Sequence, residues 1–160
     1  MNFQSILSDL KAKKYQPVYF LMGEESYFID LISDYIINEV LDDTEKEFNQ
    51  TVLYAKDIDV QTVISTAKQF PLMGKRTVVI IKEAQQLKKI EQLENYLNNP
   101  QESTILVFCY KYKSLDKRKS IYKILSKKAV LFESKKLYDN QVPAWIVNYL
   151  SSKQYKIGHK

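Results

Sequence analysis

Gly23-Glu24-Glu25-Ser26 follows an apolar run, Pro17 to Met22, and precedes a helical pattern. That is where a nucleotide-binding protein carries its phosphate loop. The chemistry needs a glycine-rich turn whose N–H groups cradle phosphate, a lysine on the phosphates and a serine or threonine hydroxyl on magnesium. This turn offers one glycine, two carboxylates and no lysine. A second apolar run, Thr77 to Ile81, leads into Lys82-Glu83-Ala84. The end of such a strand ordinarily presents a magnesium-binding aspartate. Lys82 stands in its place, and an ammonium repels the metal. Gly23, Glu24, Glu25, Ser26, Lys82 and Glu83 therefore read as a degenerate nucleotide site, a scaffold kept without its chemistry. They point to binding or assembly, with no cofactor and no metal ion expected.

Other chemistry finds less support. Gly74-Lys75-Arg76 suggests a phosphate loop, but the eight-residue pattern would place its first glycine at Gln69 and its serine or threonine at Arg76. It also precedes a strand instead of following one. Ser26 has the strand-to-helix setting of a nucleophile elbow without the flanking glycines. The single histidine, His159, lies in a polar tail, so no acid–base pair forms around it. One cysteine, Cys109, excludes an intrachain disulfide and a cysteine-rich metal site. No catalytic residue is assigned.

Two segments have the residue types of a binding surface. Gln69-Phe70-Pro71-Leu72-Met73 crowds large apolar side chains beside a turn bent by Pro71 and Gly74. Either they face a partner, with Lys75 and Arg76 as a basic rim, or Phe70 and Leu72 close the core between helix and strand. The stretch from Lys111 to Lys136 holds ten cations with Tyr110, Tyr112 and Tyr122 interleaved. It reads as a nucleic-acid surface with aromatic stacking or as a solvated helix face.

The elements that must position these residues alternate regularly. Helical spacing covers Asn2 to Lys13, Ser26 to Leu41, Asp59 to Phe70 with Asp59 as N-cap, Leu87 to Leu97 and Lys117 to Lys127. Strands are expected at Pro17 to Met22, Gln50 to Tyr54, Arg76 to Ile81, Thr104 to Cys109 and Ala129 to Glu133. Runs so continuously apolar are buried on both faces. The fold class is α/β, an open, mostly parallel five-stranded sheet with helices on both faces.

The 160 residues suit one core plus a little more, and 45% hydrophobic and 12% aromatic residues argue for a packed globule. A net charge of +5 permits nucleic-acid or acidic-protein partners without demanding them. No signal peptide or 18-residue apolar stretch is present, so no membrane partner and a cytoplasmic protein are expected. A boundary is expected near Leu137 to Val142, dividing a domain at 1–138 from the start of another at 139–160. Pro143 suits the first turn of a new amphipathic helix that carries Trp145. The chain reads as cut shortly after that second domain begins.

Together these residues resemble the delta subunit of the bacterial DNA polymerase III clamp loader. The resemblance is carried by the stretch from Pro17 through Gly23-Glu24-Glu25-Ser26-Tyr27-Phe28, by Phe70-Pro71-Leu72-Met73-Gly74-Lys75-Arg76, by Lys82-Glu83-Ala84, and by Val142-Pro143-Ala144-Trp145-Ile146. Each motif is weak alone; their order and spacing are specific. The resemblance implies a degenerate AAA+-like domain without ATPase activity that binds the ring-shaped sliding clamp and helps open it. Leu72 and Met73 occupy the positions of the apolar pair that makes the clamp contact. Clamp-binding segments commonly read Gln, two variable residues, Leu and Phe; Gln69 to Met73 fits, with Met73 where Phe is more frequent. Full-length members continue into a lid-like domain and a helical collar that assembles with ATP-hydrolysing relatives, and DNA is met through the complex. Two alternatives remain open, a DNA-binding module using residues 111–136 and an active nucleotide-hydrolysing protein of the same scaffold.

Overall fold

The computed structural model describes residues 2–136. Five strands, β1 (Val18–Gly23), β2 (Gln50–Tyr54), β3 (Thr77–Lys82), β4 (Thr104–Lys111) and β5 (Val130–Ser134), form one sheet in the order β2-β3-β4-β1-β5. All four pairings are parallel. The central strands β1, β3 and β4 are buried along almost their whole length, which is why their sequences run apolar without alternation.

Strand order decides which face each helix covers. The crossover from β1 to β2 runs one way along the sheet, and those from β2 to β3, β3 to β4 and β4 to β5 run the other. Right-handed connections then put the first crossover on one face and the other three on the opposite face. The packing agrees. Helices α1 (Phe3–Lys11) and α2 (Ser26–Glu39) bury Ile6, Leu10, Ile29, Ile32 and Ile36 against Tyr19, Leu21, Ile80 and Val107. On the other face Val63 and Ala67 of α4 (Val60–Ala67), Leu97 of α5 (Glu94–Asn98) and Ile121 and Leu125 of α6 (Ser120–Lys128) meet Val18, Phe20, Val79, Ile81 and Phe108.

Local signals set the helix ends. Asp59 caps α4 as expected, accepting the Thr62 N–H at 2.9 Å, and that hydrogen bond holds its carboxyl below the usual carboxylate range. Helix α3 (Asp43–Asn49) was not expected from apolar spacing. It is started by a capping box in which Asp42 accepts from the Glu45 N–H while the Glu45 side chain accepts from Asp42.

One expected helix is corrected. Leu87 to Leu97 is not a continuous helix but a 3-10 turn, Ile90–Leu93, running into the short α5, after an earlier 3-10 turn at Ala84–Gln86. Glu83 and Lys89 have left-handed backbones, φ 54° and 57°, which break the path. The expected boundary at Leu137 to Val142, the helix from Pro143 with Trp145, and His159 lie outside the described residues. Among the described residues no helix is long and apolar enough to cross a membrane.

Candidate functional site

The nucleotide-like elements gather at the carboxyl ends of the strands, where an open α/β sheet places its ligand crevice. Gly23 ends β1 between Lys111 of β4 and Ser134 of β5. Its φ of +127° and its closeness to Ser134 both require glycine, because a Cβ here would strike the Ser134 backbone. Two amide groups of this turn are already engaged. The Gly23 N–H donates to the Lys113 carbonyl at 3.1 Å, and the Glu25 N–H to that of Ser134 at 3.4 Å. The Glu25 carboxylate caps α2, accepting the Tyr27 N–H at 3.0 Å. The anion that this helix end attracts is therefore the chain's own carboxylate.

The charges around the crevice are reversed relative to a nucleotide site. Lys82 at the end of β3 lies 4.0 Å from Asp34, and Lys111 at the end of β4 lies 2.7 Å from Asp30. The acids sit one turn apart on α2, so the helix carries the anions and the strands the cations. Burial alone would lower the Lys111 pKa; the hydrogen bond and charge of Asp30, with Glu83 beyond, outweigh it and hold the pKa raised. Glu83 has its own left-handed backbone and hands the chain to the 3-10 turn at Ala84–Gln86. Among the described residues no three His, Cys, Asp or Glu side chains gather to hold a metal. A magnesium nucleotide does not fit this set of donors. Glu24 and Glu25 would face its phosphates, and Lys82 would face its metal.

The apolar loop lies at the other end of the sheet. It joins α4 to β3, and the length of β3 separates it from the crevice by roughly 16–20 Å. Phe70 is 75% exposed, Leu72 78% and Met73 39%. Phe70 and Leu72 do not close the core; both face solvent. Their backbone, by contrast, is held. At the α4 end the Thr104 hydroxyl donates to the Ala67 carbonyl at 2.7 Å, and Gln101 donates to that of Gln69 at 3.0 Å. At the β3 end the carboxamide of Asn49, itself buried, accepts the Leu72 N–H at 3.0 Å and donates to the Met73 carbonyl. Gly74 follows at φ +69°, where a Cβ would meet the Glu45 carboxylate. Helix α3 is thus the shelf under the loop. The expected basic rim divides. Lys75 is exposed, whereas Arg76 is half-buried with its guanidinium 4.8 Å above the Tyr15 ring.

The basic segment 111–136 loses part of its stacking reading. Tyr110 is in the core and Tyr122 packs against it, leaving Tyr112, 63% exposed, as the open ring of the three. Lys111 is committed to Asp30. Lys117, Lys119, Lys123, Lys127 and Lys128 remain exposed around α6. Cys109 is buried in β4, and burial pushes its thiol up to about 11, which makes it a poor nucleophile.

The sequence reading did not single out Asn49, Gln101 or Thr104 as site residues. Asp42-x-x-Glu45 was a legible helix start. Nothing local marks Asn49 for burial; its partners lie more than twenty positions away.

Residues 19–135 match the family described as DNA polymerase III, delta subunit. The DNA polymerase III subunit delta of Bacillus subtilis (strain 168) is 32% identical over 163 residues, covering 96% of this chain and 47% of that protein. The solved structure of a Bacillus subtilis DNA clamp loader delta protein superposes with a TM-score of 0.83 at 29% identity, over 98% of this chain and 49% of that one. A DNA polymerase III gamma subunit-related protein from Thermotoga maritima shares the fold, with a TM-score of 0.52 at 10% identity over 91% of this chain and 49% of its own. The chain spans about half the length of these relatives. The expected ATPase-like α/β fold stands, and the chain belongs to the DNA polymerase III delta subunit family.

Proposed function

We propose that this chain is the clamp-gripping part of a clamp-loader delta subunit, with Leu72 and Met73 inserted into an apolar pocket of the sliding clamp. The observation that carries this reading is the loop itself, whose large apolar side chains face solvent on a backbone tied to the core. An exposed apolar group on a fixed backbone loses little entropy on docking. Burying Leu72 and Met73 contributes about 1.5–3 kcal/mol each, less the ordering of the side chains. Gln69, Phe70 and Pro71 shape the contact, and Lys75 meets the acidic rim of the pocket. Ring opening follows if the gripped surface binds the open clamp more tightly than the closed one, since a ligand shifts an equilibrium only by differential affinity.

Nucleotide hydrolysis belongs in this reading to other loader subunits, and DNA is met through the assembled loader. The reversed charges at the strand ends support that division. The test is a titration of this chain against the sliding clamp of the same organism, with Leu72→Ala/Met73→Ala alongside. Saturable binding that the double variant loses, at an unchanged melting temperature, is the expected result. Equal binding by both proteins would overturn the loop assignment.

A further inference from the structure

We infer that Asn49 is the positioning residue of the clamp contact, holding the loop in its gripping shape through two hydrogen bonds to the loop backbone. The inference rests on the proposed role of Leu72 and Met73 and adds a residue that touches no partner. Asn49 ends α3 and is buried, and its carboxamide meets two consecutive residues of the loop. Oδ1 accepts the Leu72 N–H at 3.0 Å, and Nδ2 donates to the Met73 carbonyl. The chemistry fixes this orientation, because a backbone N–H needs the oxygen and a backbone carbonyl needs the NH2 group. Asparagine is a side chain of this length that offers both, so neither aspartate nor leucine replaces it.

The geometry explains why Leu72 stays exposed. Its N–H points inward to Asn49 and the next carbonyl is held by the same amide, so the backbone presents the Leu72 side chain to solvent. Without the amide, the Leu72 N–H and the Met73 carbonyl lose their partner, and the loop gains conformers in which Leu72 and Met73 fold back onto apolar neighbours. Val40 and Leu41 line a pocket with Met73 itself. Apparent affinity falls in proportion to the fraction of chains that keep the competent shape.

The experiment measures clamp binding by the full chain and its variants, together with amide hydrogen exchange by NMR. Asn49→Ala is expected to weaken binding about tenfold, the size of one or two net hydrogen bonds. Asn49→Asp matches the side chain in size but sets a carboxylate oxygen against the Met73 carbonyl. It keeps the acceptor for Leu72, loses the donor to Met73, and is expected to bind no better than Asn49→Ala. In Asn49→Ala exchange of the Leu72 amide accelerates while that of Ile80 in β3 does not, a pattern that general destabilisation would not produce. Native affinity in Asn49→Ala, with the Leu72 amide deprotected, overturns the positioning role and leaves the loop contact standing. Native affinity in Leu72→Ala/Met73→Ala overturns the loop contact itself.

Discussion

The Lys111 ammonium lies 2.7 Å from the Asp30 carboxylate and joins the end of β4 to α2 across the crevice. Lys82 and Asp34 repeat the arrangement one strand over, at 4.0 Å. In a nucleotide site, metal and phosphates bridge helix and sheet at this point. Here two ion pairs of the chain's own do so. The Lys111 side chain is 13% exposed and that of Asp30 41%, so screening is only partial. Asp30→Asn should cost about 1–2 kcal/mol at pH 8, between the values for surface and buried pairs. The sign with pH follows from the raised Lys111 pKa. Its contribution is present below the unfolded lysine value of about 10.4 and is lost as pH rises through the folded one. Urea unfolding at pH 8 and pH 11 should show Asp30→Asn converging on the native chain. A gap that does not narrow at all between pH 8 and pH 11 would mean the effect is not ionic.

Magnesium–ATP should leave the melting temperature unchanged at millimolar concentration. A ligand bound to the folded state raises the midpoint by mass action. The amides at Gly23 and Glu25 are spent on the carbonyls of Lys113, just past β4, and Ser134 of β5, and Glu25 already caps α2. An upward shift with magnesium–ATP, absent with magnesium alone, would reinstate a working nucleotide site.

Gly23→Ala tests whether this glycine is kept for structure. Its Cβ would meet the Ser134 backbone, which no rotamer change relieves, and the backbone φ of +127° disfavours any L side chain. Destabilisation of about 3 kcal/mol or more is expected from strain of this kind. A loss under about 1 kcal/mol would show that β5 can move away.

The strands were legible because burial on both faces leaves an unbroken apolar run, as in Val78-Val79-Ile80-Ile81. Their order was not, since pairing such as Leu21 with Cys109 joins residues far apart in the chain. Leu87, Ile90, Leu93 and Leu97 fit a helix by spacing, yet three-residue steps serve a 3-10 turn equally well. The loop's apolar residues were legible as a surface candidate, but their exposure depends on tertiary bonds to Asn49 and Gln101 that no local pattern encodes. Helix α3 escaped notice because Asp43 to Asn49 carries one large apolar residue, Phe48, and that residue is exposed.

Gly74→Ala probes the same shelf. The φ of +69° costs an alanine about 1 kcal/mol, and the new methyl meets the flexible end of Glu45. A total loss of about 1–2 kcal/mol is expected. Glu45→Ala alone breaks the capping box at Asp42 and costs about 0.5–2 kcal/mol. The double variant should be more stable than the sum by about 0.5 kcal/mol or more, because the collision is gone. Strict additivity in urea unfolding would separate Gly74 from α3.

Cys109 should report global unfolding. It is fully buried in β4, and its raised pKa of about 11 leaves almost no thiolate at pH 8. Only the thiolate attacks a disulfide reagent, so the native thiol should stay unmodified until the sheet opens. Modification rates by a chromogenic disulfide should then track stability and rise in Gly23→Ala. The thiol also adds a pH term of known sign. Its pKa lies above the unfolded value of about 8.5, so unfolding releases a proton at alkaline pH and stability declines as pH rises from about 8.5 toward 11. Burial raises the Tyr19 and Tyr96 pKa values in the same way, and they add to the decline nearer pH 10 and above. Cys109→Ala should therefore lose stability at pH 7 through its cavity, yet lose less than the native chain between pH 8.5 and 9.5. Fast labelling of the folded protein at pH 8 would show that β4 opens locally, and the ion pair at Lys111 would not be holding its end.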